Sequence, residues 1–191
     1  MTARYNLTFI FLIAILTISS CGKTNNSKIK KHDKTNLQTA EKQTKRLKSN
    51  LNIGGTYSFG DNVENGPVGS VIVYPQTPSS ALFFLDICRG APSYNLGQLF
   101  GRMTIKNNIG TYDSGNDGND FKCVLRFEFS PGQLKVTTDE RCDDCGFGHA
   151  VYADNTYKLI DKSIPKYFID GEGDTIHFKG LTIEKYRHMF D

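Results

Sequence analysis

Five cysteines carry the most explicit chemistry in this chain of 191 residues. Two of them stand as Cys142-x-x-Cys145, a spacing shared by half of a zinc site and by redox pairs. Zinc would need two more ligands, and Cys88 and Cys123 could serve. A redox pair of this spacing normally sits in a βαβ setting, and no such pattern surrounds it. Isolated thiols in an oxidising compartment form disulfides by default, so structural disulfides lead the zinc and redox readings. With Cys21 set aside, four cysteines permit three pairings.

The other candidate chemistry is sparse. The loop Asp113-Ser114-Gly115-Asn116-Asp117-Gly118-Asn119-Asp120 is rich in oxygen ligands suited to calcium. Gly115 occupies a ligand position of the EF-hand pattern, however, and Val124 stands where its bidentate Glu belongs. A solvated hairpin loop is the better reading. His149, His177 and His188 have no Ser or Cys partner in a recognisable motif, and no G-x-S-x-G, H-E-x-x-H or Walker loop occurs. The expectation is a protein with no catalytic constellation, no metal and no cofactor. His32 stands alone in a polar stretch.

Three regions must position these residues. Met1–Ser20 begins with Arg4 and continues as an apolar run from Leu7 to Ile18. The run fits a signal-peptide core and falls short of the ~20 residues that span a bilayer. It ends at Ile18-Ser19-Ser20-Cys21-Gly22, which resembles a bacterial lipobox. That resemblance implies cleavage before Cys21, acylation of Cys21 and stable anchoring by several acyl chains. Residues 21–50 form a basic tether with nine Lys/Arg against two Asp/Glu. A short helix over 37–49 fits the spacing of Leu37, Ala40, Thr44 and Leu47, with Thr35-x-x-Gln38 as a capping box. Residues 51–191 carry thirteen Lys/Arg and eighteen Asp/Glu, a net charge of −5. An acidic domain argues against a nucleic-acid partner, which would need a basic face.

The acidic domain reads as all-β. Runs of β-branched and aromatic residues alternate with turn signals at 55–59, 68–74, 81–88, 97–105, 109–113, 121–129, 133–138, 148–152 and 156–160. A small antiparallel barrel or sandwich of about eight to ten short strands is expected. In one hairpin, Cys123, Leu125, Phe127 and Phe129 alternate with polar neighbours before a Ser130-Pro131-Gly132 turn. If Phe129 faces Leu134, Cys123 falls opposite Glu140, close to both Cys142 and Cys145. Sequence spacing does not choose between them. Tyr167–Ile169 and Thr175–Phe178 could pair across the Asp170–Asp174 turn, and 183–190 could be a strand or a short helix. Gly55-Thr56-Tyr57 and Asn155-Thr156-Tyr157 echo each other, an expected mark of the first and last strands of a closed barrel or simply a common strand-start pattern.

The order of motifs carries one further resemblance. Gly101-x-x-Thr104 and Tyr112, then Cys123-Val124-Leu125-Arg126-Phe127-Glu128-Phe129 and Val136, lead into the segment Asp144-Cys145-Gly146-Phe147-Gly148-His149-Ala150-Val151-Tyr152-Ala153-Asp154-Asn155-Thr156-Tyr157. This resembles a set of secreted bacterial β domains with a C-x-L-x-F strand and a CGFG-x-x-V-x-A-D-G-x-Y segment, some of them beside lysozyme-inhibitor-like lipoproteins. Asn155 departs from that pattern, where Gly is preferred. The resemblance implies a Cys123–Cys145 bond, with Cys88 and Cys142 as an additional pair. Gly146 and Gly148 would permit a tight bend, with Phe147 plugging the core.

The resulting expectation is a non-enzymatic binding domain of the cell envelope, anchored to the bilayer through acylated Cys21. With Gly22 after the cysteine, the outer membrane of a Gram-negative bacterium is expected. The partner would be a basic envelope or host protein, with a lysozyme or other muramidase as the specific case. Asp113, Asp117, Asp120, Asp143 and Asp144 are the candidate partner-binding residues. A passive carrier with a lipocalin-like cavity and an envelope glycan-acting enzyme are the alternatives. For the anchor, Cys21→Ala should abolish labelling by a fatty-acid analogue and leave the precursor uncleaved; undiminished label would refute acylation at this residue.

Overall fold

The computed structural model describes residues 51–117 and 122–190. The expected acylation of Cys21, the tether helix and Asp120 lie outside them. Eight strands follow one another: β1 (Gly55–Phe59), β2 (Val68–Thr77), β3 (Ser80–Cys88), β4 (Leu96–Lys106), β5 (Ile109–Asp113), β6 (Val124–Ser130), β7 (Gln133–Thr138) and β8 (Asn155–Asp161). Each pairs antiparallel with the next, and β8 returns to β1, so the sheet closes as a barrel. Closure pairs Tyr57 with Leu159 and Ser58 with Lys158. The echoed segments therefore belong to the two closing strands.

Period-two alternation sends one face of each strand inward. Phe83, Leu85, Met103, Tyr112, Leu125, Phe127, Val136 and Tyr157 are buried there. An eight-stranded barrel is about wide enough for side chains to fill it. Aromatic rings do most of the filling. Phe83 lies 5.2 Å from Tyr112 and 4.8 Å from Phe127, and Phe59 meets Tyr157 edge-on at 4.9 Å. Gly101 makes room: a Cβ there would stand 2.5 Å from the Tyr112 ring. Two tyrosines secure the entries to the closing strands. The Tyr57 hydroxyl donates to the Ile53 carbonyl at 2.9 Å, and Tyr157 donates to Ala153 at 3.0 Å.

The β6–β7 hairpin has the expected register, Phe129 opposite Leu134, with Leu125 opposite Thr138. The expected strand at 148–152 does not form. Ala150 turns the chain with φ of 58°, and Val151 N–H donates back to the Gly148 carbonyl at 3.1 Å. Val151 and Ala153 are buried beneath this loop, so their apolar spacing marks a loop packed on the barrel mouth.

A second core lies outside the barrel. Strand β3 is buried on both faces, with Leu82 and Phe84 pointing away from the interior. Strands β9 (Tyr167–Ile169) and β10 (Thr175–His177) pair across the 170–174 turn, and a short helix, α1 (Ile183–Arg187), follows. Phe168, Ile176, Phe178, Leu181 and Ile183 from this segment cover Leu82, Phe84 and Phe100. Phe84 stacks on Phe168 at 4.2 Å, and Tyr74 on Phe178 at 5.1 Å. Among the described residues, no helix is long and apolar enough to cross a membrane.

Burial pushes the Tyr57 phenol up to about 12 and raises that of Tyr157, where Asp154 adds to the effect. The folded barrel therefore holds both protons more tightly than the unfolded chain, where the ordinary value is 10.0. The stabilising contribution of Tyr57 is complete below pH 10 and is lost as pH rises through about 12, and that of Tyr157 declines in the same direction. The urea midpoint should fall over this window. Tyr57→Phe should be about 1 kcal/mol less stable at neutral pH, through loss of its hydrogen bond, yet show a shallower alkaline decline. Equal slopes in the two proteins would remove Tyr57 from this account.

Candidate functional site at the long-loop end

An up-and-down barrel places alternate connections at opposite ends. At one end β2–β3, β4–β5 and β6–β7 are joined through tight turns around Ser79, Asn107-Asn108 and Pro131-Gly132. Asn107 and Asn108 take φ of 53° and 61°, the left-handed pair that a two-residue hairpin turn requires. Leu51 and Ile53 pack against the core at this same end. The other end carries all four long connections: 60–67, 89–95, 114–123 and 139–154. Every cysteine of the described barrel lies at this end, as do Asp113, Asp143 and Asp144.

The four connections brace one another. Ala91 N–H donates to the Val63 carbonyl at 2.9 Å, and the Tyr94 hydroxyl to Glu64 at 2.7 Å. The long 139–154 loop folds across the rim and docks on the start of β4. Gly148 N–H donates to the Leu96 carbonyl at 2.9 Å, and the Asn95 side chain to the His149 carbonyl at 2.7 Å. Phe147 packs on the core beside Gly97, where a Cβ would lie 2.8 Å from its ring. The expected role of Phe147 as a plug therefore has a matching socket. His149 itself is exposed. At the loop's far end, Asp154 accepts from Thr138 N–H at 2.9 Å and from the Thr138 hydroxyl, which fastens the exit from β7.

A disulfide joins Cys123, at the foot of β6, to Cys145 in this loop, with Cα atoms 4.6 Å apart. The second expected pair is corrected: Cys88 and Cys142 are both free thiols. Cys88 ends β3, and β4 and β5 stand between it and β6 around the rim. Disulfide-bonded Cα atoms lie within about 7 Å. Cys142 instead sits against the existing bond, its Sγ 3.5 Å from that of Cys145. Gly90 N–H donates to the Cys88 sulfur at 3.4 Å.

The candidate aspartates separate into distinct environments. Asp143 and Asp144 are exposed, and Asp144 accepts from Gly146 N–H at 2.8 Å. Asp113 is half-buried and accepts from Gly115 N–H at 3.1 Å. Asp117 is buried, with its side chain only 3% exposed. It turns to the outside of the barrel, where Arg102 lies 3.7 Å from its carboxylate and Arg187 donates to its carbonyl oxygen. Burial raises its carboxyl pKa, while Arg102 and Arg187 oppose that rise. Asp117 is thus a fastening for the C-terminal helix, and its carboxylate is withdrawn from the rim surface. Asp139 is different again. Two guanidinium bonds from Arg141 hold its carboxyl down to about 2. The acidic groups of the loop that face solvent are Glu140, Asp143, Asp144 and Asp154, the last of them held by Thr138.

Two grooves flank the docked loop. One of about 430 Å³ runs between Phe59, Pro67, Ile87, Arg89, Val151 and Tyr152. The other, of about 340 Å³, lies between Thr138, Cys142, Asp144, Phe147, His149 and Tyr152. Tyr152 forms the wall between them and is 70% exposed. Tyr94 and Leu96, 42% and 55% exposed, add apolar surface at the same end. Tyr152 is not among the sequence-predicted site residues, although its place between apolar Val151 and Ala153 signals an outward side chain. Asp143 and Asp144 line the smaller groove, and Asp154 and Arg89 line the larger one.

No family model, no curated protein and no solved structure matches this chain.

Gly97→Val should force the Phe147 ring from its socket. A loss of about 1–3 kcal/mol is expected. Amide exchange should rise in 146–153 and stay slow in β2 and β3. Unchanged protection of the loop would show that it is not held through Phe147.

Proposed function

We propose that this protein is a lipid-anchored, non-enzymatic binding module of the cell envelope that captures a basic protein at its long-loop end. The supporting observation is the polarity of the barrel. The chain enters through Leu51 at the tight-turn end, beside a groove of about 310 Å³, while Tyr152, the two grooves flanking the docked loop and exposed Glu140, Asp143 and Asp144 lie at the opposite end. A tether over 21–50, acylated at Cys21, would leave from the tight-turn side and turn the binding face away from the bilayer. Lys106 and Lys162 lie at the tight-turn end beside exposed Asp161, and the nine cations in 22–50 would add positive charge near anionic head groups.

The partner class follows from charge and shape. Exposed Glu140, Asp143 and Asp144 would raise the encounter rate with a cationic protein, and Tyr152 would supply contact area at low entropic cost. A lysozyme or related muramidase has the required basic surface, and the resemblance to domains found beside lysozyme-inhibitor-like lipoproteins points the same way. The filled barrel interior favours recognition by loops over carriage of a ligand inside the barrel.

The test is association of the full chain with lysozyme at two ionic strengths. Asp143→Asn combined with Asp144→Asn keeps the Asn oxygen that can accept from Gly146 and removes two charges. Association should slow by about three- to tenfold at low salt, with dissociation little changed, and the difference should shrink as salt screens it. Tyr152→Ala should mainly accelerate dissociation. Absence of binding at low salt would reject lysozyme as the partner, and salt-insensitive association would reject electrostatic capture.

A further inference from the structure

Three sulfur atoms meet at the foot of the long loop, and only two of them are bonded. The Sγ atoms of Cys123, Cys142 and Cys145 all lie within 4.8 Å of one another. Cys123 is 2% exposed and anchored in the core, where its N–H donates to the Ser114 hydroxyl at 2.8 Å. Cys145 and Cys142 belong to the loop and are half-buried. Cys142 is held beside the bond by its own backbone. Its N–H donates to the Asp139 carbonyl at 2.9 Å, and the next N–H, of Asp143, donates to the Lys122 carbonyl at 2.8 Å. The free thiol also lines the smaller groove and is open to solvent from that side.

We propose that these three cysteines form a thiol–disulfide exchange site, in which Cys142 transfers the bond from Cys123–Cys145 to Cys142–Cys145. The Cys142 thiolate attacks the Cys145 sulfur, its nearer neighbour at 3.5 Å. The Cys142–Cys145 bond forms as the Cys123–Cys145 bond breaks. The electron pair departs on the Cys123 sulfur, which takes up the proton that Cys142 has lost. One disulfide and one thiol are present before and after, so the step consumes neither oxidant nor reductant. Attack on a disulfide proceeds in line with the bond, whereas the three sulfurs form a compact cluster, so the Cys142 side chain must swing about its Cα–Cβ bond.

The two isomers hold the loop differently. In this structure the bond ties residue 145 to the foot of β6, across 22 positions of sequence. After exchange the bond lies within the loop, between positions three apart, and no covalent link to β6 remains. The docking of Phe147, the Gly148–Leu96 hydrogen bond and the Asp143–Lys122 hydrogen bond are untouched by the chemistry. The loop would therefore stay in place but lose its covalent mooring. Asp143, Asp144 and Tyr152 are the groups whose freedom it would change.

Disulfide mapping of the full chain tests this. The protein is equilibrated in a glutathione redox buffer, quenched with acid, alkylated and digested without reduction. In the wild type, peptides linked Cys123–Cys145 and Cys142–Cys145 should both appear, and Cys142→Ser should lose the second. Cys123→Ser should carry Cys142–Cys145 as its one barrel disulfide and show faster amide exchange over 139–147, with β2–β4 still protected. A wild-type map that contains only Cys123–Cys145 overturns the proposal, even if Cys123→Ser forms the alternative bond. Failure of Cys123→Ser to form that bond overturns it as well, because the two loop sulfurs would then be unable to join.

Discussion

Closure of the sheet between β1 and β8 is the constraint on which the rest of this molecule depends. It leaves the barrel without a free edge and encloses an interior only as wide as eight strands allow. That interior has to be filled at the density of a protein core, which explains the concentration of Phe and Tyr on the inward faces and the glycines that yield to them. Tyr57 and Tyr157 serve closure twice. Their rings fill the barrel, and their hydroxyls hold the backbone just before each closing strand.

The strand order also decides where the long loops lie. With eight strands in simple succession, even-numbered strands run opposite to odd-numbered ones, so all four long connections fall at one rim. The interior is filled by side chains, and the long loops lie at that rim. The loops there are braced on a rigid scaffold, the arrangement in which binding residues are commonly found. Cys123–Cys145, the Gly148–Leu96 hydrogen bond and the Phe147 socket fix the longest loop at three separate points.

The C-terminal segment answers a different physical demand. Leu82, Phe84 and Phe100 face outward from the barrel and would leave an apolar patch in water. Strands β9 and β10 and helix α1 cover it, and Arg187 reaches the carbonyl of Asp117 while Arg102 stands beside its carboxylate. A residue of the oxygen-rich loop is thereby drawn into the support of the barrel wall. This division accounts for two aspartates four positions apart having different surroundings, Asp113 at the rim and Asp117 beneath the helix.

Much of the barrel was legible in the amino-acid order, because period-two alternation and turn residues are local signals. The hairpin register of Phe129 with Leu134 follows from Ser130-Pro131-Gly132, and the 170–174 turn announces the pair on either side. The uninterrupted apolar run Ala81–Leu85 also signals a strand covered on both faces, although nothing nearby says by what. The tertiary structure alone decided which distant surfaces meet. It set Phe168 on Phe84, withdrew Asp117 from solvent, made Val151 a loop residue, and placed Cys142 against a finished disulfide while Cys88 stayed apart. The physical reason is separation along the chain. Alternation and turns specify neighbours a few residues away, whereas these contacts join segments that come together only after the closed barrel has fixed the positions of its rim and its outer face.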